Sequence, residues 1–127
     1  MAGEDSEGRR DIGRRGEEAA AVFLRQRGLK ILERNFRTRY GEIDLICLDG
    51  PRVVFVEVKT RTSHAFGPGS EAVNRVKQRR LSKAAQHYLL SRRWQDKPAR
   101  FDVLSINLVR GEPHLEYLMD AFDLVSD

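Results

Sequence analysis

At 127 residues and 14.6 kDa the chain has the size of one domain, and 40% hydrophobic with 33% charged residues at a mean hydropathy of −0.54 excludes compositional disorder and a membrane protein. No apolar run approaches the roughly 20 residues that span a bilayer, the opening residues lack the apolar core of a secretory signal, and the single Cys47 allows neither an internal disulfide nor a cysteine-based zinc site, so the expected location is the cytoplasm. Net charge is +4, but residues 19–39 alone sum to +5 and residues 62–100 to +7, a segregation that suits a polyanion and that solvated helix faces would also produce.

Residues 1–11, rich in Gly, Glu and Arg, are expected as a mobile tail, and residues 12–127 as a single domain. Ile12, Gly16, Ala19, Ala20, Phe23 and Leu24 recur at helical spacing with Gly28 just past the end, which predicts a first helix over Ile12–Arg27. Residues 29–35 read as a short strand or connector. Glu42–Leu48 alternates, with Glu42, Asp44, Ile46 and Leu48 on one face and Ile43, Leu45 and Cys47 on the other. Val53–Arg61 is β-branched along its length and sends Val53, Phe55, Glu57 and Lys59 one way and Val54, Val56 and Val58 the other. Between these strands Asp49, Gly50, Pro51 and Arg52 form a turn cluster, so a hairpin is predicted. Residues 60–70 are a loop broken by Gly67, Pro68 and Gly69. The stripe Val73, Val76, Leu81, Ala84, Ala85, Tyr88 and Leu89 predicts a second helix over Ser70–Ser91, followed by strands at Phe101–Leu108 and His114–Met119. The order α-β-β-α-β-β describes an α/β domain, a small sheet with helices packed on it.

A hairpin turning about the Gly50–Pro51 bond sets Asp44 opposite Glu57, with Lys59 two positions further on the same side. Opposed side chains stand about 5 Å apart, where two carboxylates repel by about 3 kcal/mol at an effective dielectric near 20, more than the roughly 0.2–1 kcal/mol of a good cross-strand pair. A divalent cation with oxygen ligands offsets that charge: Mg²⁺ takes one or two carboxylates and accepts a substrate phosphate oxygen. Lys59 is then placed to orient or help deprotonate an attacking water while the metal stabilises charge at phosphorus. The plainer alternative has Glu57 and Lys59 facing solvent and Asp44 capping the turn.

At these residues the chain resembles a known family. GRRGEEAAAVFLRQRGLKILERNFRTRYGEIDLI, then VVFVEVKTR, and later RFDV are similar to the YraN family of small bacterial proteins, over nearly the whole length from Ile12. That family looks like a member of the restriction-endonuclease-like superfamily, similar to archaeal Holliday junction resolvases, whose core carries an Asp and a Glu-x-Lys on a hairpin and often a Glu on the preceding helix. The resemblance implies a mixed central sheet flanked by helices, with Asp44 and Glu57 as metal ligands, Lys59 as the catalytic lysine and Glu17, rather than Glu18, as the helix carboxylate. Ile43 stands where the superfamily commonly has a proline. Archaeal resolvases and RecB-type nucleases tend to carry a Gln on the following helix, a place that Gln78 and Gln86 both match.

The expected function is a Mg²⁺- or Mn²⁺-dependent nucleic-acid phosphodiester hydrolase, acting on DNA in preference to RNA, with no membrane partner and with a homodimer suited to symmetric cutting. Arg61, Ser63 and His64, after the second hairpin strand, and Arg75, Lys77, Arg79, Arg80 and Lys83, on the second helix, are the candidate nucleic-acid contacts. Tyr40, Phe66 and Trp94 are candidates for base stacking or for packing, packing being the commoner use. His64, His87 and His114 lack ligand spacing for zinc. Two alternatives stand beside the enzyme: a non-catalytic nucleic-acid-binding module of the same fold, and a protein-interaction adaptor using the acidic end from Asp102 to Asp127.

Overall fold

A computed structural model describes residues 2–61, 73–108 and 113–124. Helix α1 spans Ala2–Gln26, strand β1 Lys30–Thr38, β2 Gly41–Asp49 and β3 Arg52–Arg61; helix α2 spans Arg75–Ser91, and strands β4 and β5 span Ala99–Asn107 and His114–Phe122. The order is therefore α-β-β-β-α-β-β, one strand more than expected. Residues 2–11 continue α1, because no proline interrupts residues 2–26 to stop the helix. The second helix starts later than the apolar stripe suggested: Asn74 is its N-cap, with Oδ1 accepting the Lys77 amide at 2.9 Å, so Val73 and Asn74 precede the helix. Residues 70–72 lie outside the described residues.

The five strands form one sheet in the order β1-β2-β3-β4-β5, antiparallel throughout except for the parallel pair β3 and β4, which α2 connects. The additional strand β1 is an edge strand carrying Lys30, Glu33, Arg34 and Arg37, charges of the kind that blunt a free edge. Its alternation is broken by a register shift between Ile31 and Glu33 and by the left-handed Asn35, at a φ of 52°, so period two is hidden in its sequence. The β2–β3 turn is Gly50–Pro51, with Gly50 at a φ of 59°, the conformation a II′ hairpin turn demands at its first central residue.

Each face of the sheet buries its own core. On one side Ala20 and Leu24 of α1 pack on Leu45, Cys47, Val54, Val56, Leu104 and Ile106. Gly16 allows that approach, since a Cβ there would overlap the Thr60 side chain. On the other side Leu81, Ala84, Ala85 and Tyr88 of α2 pack on Ile46, Val53, Phe55, Phe101 and Val103. Here aromatic rings meet, Phe36 with Tyr88 at 5.2 Å, Phe55 with Phe101 at 5.3 Å and Tyr88 with Trp94 at 6.2 Å between centroids, so Trp94 is a packing residue. No helix among the described residues is long and apolar enough to cross a membrane.

Candidate active site

The paired register of β2 and β3 runs from Asp49↔Arg52 to Leu45↔Val56, the numbering sum expected from a turn at Gly50–Pro51. Beyond Leu45 the ladder stops and the alternation slips: Ile43, expected beside Leu45 and Cys47, packs instead with Ile46 in the core on the α2 side. Asp44 occupies that gap. Its Oδ2 accepts the Val58 amide at 2.7 Å, so the side chain supplies the acceptor that the interrupted strand does not.

The same carboxyl is largely buried beside Glu57. Burial first, then the neighbouring Glu57, pushes Asp44 up to about 8, against the opposing pull of the Val58 amide and the Lys77 ammonium. Glu57 is 8% exposed, and its Oε2 lies 3.5 Å from Lys77 Nζ. At that separation the ammonium offsets charge without making a good hydrogen bond, and Oε2 is otherwise unsatisfied. Lys59 is half-buried; burial, then the nearby Lys77, pull it below the usual lysine range, with Glu57 and Asp44 opposing. Asp44, Glu57, Lys59 and Lys77 thus form one charged cluster, with Lys77 reaching in from α2.

An orphaned, buried carboxylate oxygen beside a second buried carboxyl is a donor set fitted to a hard divalent cation. Glu17 does not join it: among the described residues no three of His, Cys, Asp and Glu come together as a metal-ligand group. Glu17 follows Gly16 on α1, whose Ala20 and Leu24 pack in the other of the two cores. Glu18 pairs with Arg34 at 2.8 Å, and Glu42 with Arg37 at 3.7 Å. Gln78 is held locally, Nε2 donating to the Val73 carbonyl at 3.0 Å.

Of the candidate nucleic-acid contacts, Arg75, Arg79, Arg80 and Lys83 are exposed on α2, while Lys77 is half-buried against Glu57. Arg61 ends β3, half-buried in a cleft with Ser105 and His114. Ser63, His64 and Phe66 lie outside the described residues.

Two features escaped the sequence reading. Lys77 belongs with the carboxylates; its position four residues before Leu81 on the apolar stripe was the available signal. Asp102, expected on an acidic partner-facing end, is instead fully buried: Arg100 Nε contacts both its oxygens at 3.0 and 3.3 Å, the Tyr117 hydroxyl donates to Oδ2, and the Asp120 amide donates to Oδ1 at 2.9 Å. Arg100 also reaches Asp49 at 3.1 Å. Its signal was an Arg and an Asp two apart on a strand of buried apolar residues, which puts both on one face.

Comparison with known proteins finds relatives along nearly the whole chain. The model of the uncharacterised protein family UPF0102 matches residues 16–106. A UPF0102 protein of Anaeromyxobacter dehalogenans is 47% identical over 122 residues, covering 96% of this chain and 91% of that protein. One of Geobacter metallireducens is 49% identical over 91% of this chain and 94% of its own length, and one of Syntrophomonas wolfei is 49% identical over 89% and 98%.

Proposed function

We propose that this chain, which belongs to the uncharacterised protein family UPF0102, is a metal-dependent nucleic-acid phosphodiester hydrolase whose site is Asp44, Glu57 and Lys59. The observation that carries the reading is the buried Asp44–Glu57 pair, in which Glu57 Oε2 is unsatisfied and an electrostatically perturbed lysine, Lys59, stands close by. A bound Mg²⁺ or Mn²⁺, held by Asp44 and Glu57, would neutralise both carboxylates and stabilise negative charge developing on phosphorus. The Val58 amide keeps Asp44 aimed at Glu57. Lys59, with its basicity lowered by burial and by Lys77, holds the attacking water and exchanges a proton with it. The exposed Arg75, Arg79, Arg80 and Lys83 line up on the neighbouring helix to meet backbone phosphates.

Asp44 on β2 and Glu57 with Lys59 on β3 of one hairpin, following a helix, agree with the arrangement that the resemblance to restriction-endonuclease-like proteins and resolvases implies. The same reading puts the protein in the cytoplasm, with DNA as the first substrate to try. One observation favours the binding module instead: the described acidic set has two members, and Lys77 already offsets one of them.

Cleavage of labelled duplex, single-stranded, flap and four-way-junction DNA, and of RNA, with Mg²⁺ or Mn²⁺ separates the two. For a hydrolase, Lys59→Ala loses about a hundredfold or more in rate while binding persists, and Asp44→Asn behaves alike. Cleavage that survives in both purified variants refutes the assignment, and salt-dependent binding without cleavage under either metal establishes the module.

A further inference from the structure

Where the turn between β1 and β2 meets the start of α2, a groove of about 360 Å³ is lined by Tyr40, Glu42, Asn74, Lys77, Arg80 and Leu81. Its volume is that of a small-ligand site. Lys77 lines the groove and also reaches Glu57, so the groove neighbours the candidate active site. Tyr40 stands between cations: the Arg39 guanidinium lies 5.0 Å from its ring centroid and donates to its hydroxyl at 2.8 Å, and Lys83 Nζ lies 5.6 Å from the centroid. The carboxylate of the lining, Glu42, is faced by Arg37.

We propose that this groove is a subsite for an unpaired stretch of nucleic acid entering the candidate active site, with one base stacked on Tyr40 and the flanking phosphates held by Arg80 and Lys83. The inference rests on the nucleic-acid reading above and adds the strand type. Exposed cation–π contacts are weak, and a nucleobase stacks on an aromatic ring more strongly. A base arriving at Tyr40 therefore displaces a cation, which is then free to meet the phosphate beside that base. In a duplex the base faces are closed by their neighbours, so the ring accepts only an unpaired base. The turn does not depend on the Tyr40 side chain, because Thr38 Oγ1 accepts the Tyr40 and Gly41 amides at 3.0 and 3.2 Å.

The test is fluorescence anisotropy of a short labelled oligothymidylate, an oligouridylate and a duplex, in metal-free, low-salt buffer, with wild type, Tyr40→Ala and Tyr40→Phe. Tyr40→Ala is expected to bind at least one of the single strands about tenfold more weakly, Tyr40→Phe within about twofold of wild type, and all three to hold the duplex equally. Which strand responds tells DNA from RNA. Unchanged affinity for both strands in Tyr40→Ala, equal loss in Tyr40→Phe, or equal loss on the duplex overturns the subsite. Because no metal is present, the readout is independent of cleavage. Ring-dependent binding without hydrolysis when Mg²⁺ is added refutes the hydrolase alone, and hydrolysis that Tyr40→Ala leaves untouched in both binding and rate refutes the subsite alone.

Discussion

Asp44 answers two demands with one carboxyl, closing the strand gap through the Val58 amide and standing buried beside the Glu57 carboxyl. Its folded pKa of about 8 stands far above the ordinary value of 3.8. The folded state therefore binds a proton that the unfolded chain releases near pH 4, and the sign follows: stability contributed by this group is complete below the unfolded pKa and is lost as pH rises towards 8. In metal-free buffer the melting temperature is expected to fall from pH 5 to pH 8 by about 5 °C more in wild type than in Asp44→Asn. Parallel pH profiles from differential scanning calorimetry would show that Asp44 is not held above its ordinary range. Lys59 and Lys77 contribute the opposite charge that keeps the pair tolerable, which is why neither is an ordinary surface lysine.

At the scale of elements, side-chain carboxylates complete the sheet at two irregularities. Asp44 does so where the β2–β3 ladder ends, and Asp102 does so between β4 and β5, where a register shift and the left-handed Asp120, at a φ of 53°, free an amide that Asp102 accepts. The second case ties three strands together, since Arg100 bridges Asp49 on β2 and Asp102 on β4 while Tyr117 on β5 donates to Asp102. Burial, reinforced by the Asp102 carboxylate, raises the Tyr117 hydroxyl above its usual range. Removing one member strands a buried charge, so Asp102→Ala is expected to cost about 3–5 kcal/mol in urea denaturation. A loss below about 1 kcal/mol would mean that Arg100 finds solvent or another partner.

Across the molecule, positive charge on α2 lies beside the acidic pair, and the negative charge of β5 lies at the far edge of the sheet. On the proposed function, a polyanion meets the α2 side first. With Arg75, Arg80 and Lys83 each on one phosphate, duplex affinity is expected to fall by about fortyfold between 50 and 200 mM salt, a log–log slope near −2.7. A slope near zero in an anisotropy titration would place nucleic acid elsewhere or remove it as a ligand.

What the sequence determined by itself is local. Periodicity announced both helices, and the Gly50–Pro51 turn together with alternation set the β2–β3 register that puts Asp44 and Glu57 near each other. These follow from forces acting over a few residues: side-chain direction, turn geometry and capping. The tertiary structure decided what depends on partners distant in the chain. It made a full strand of residues 30–38, because a bulged and charged segment pairs only when β2 offers an edge. It turned Ile43 into the α2-side core, buried Asp102 with Arg100, left Glu17 out of a three-member acidic group among the described residues, and brought Lys77 to Glu57. A buried charge takes its meaning from the element packed against it, and that element is chosen by the whole fold.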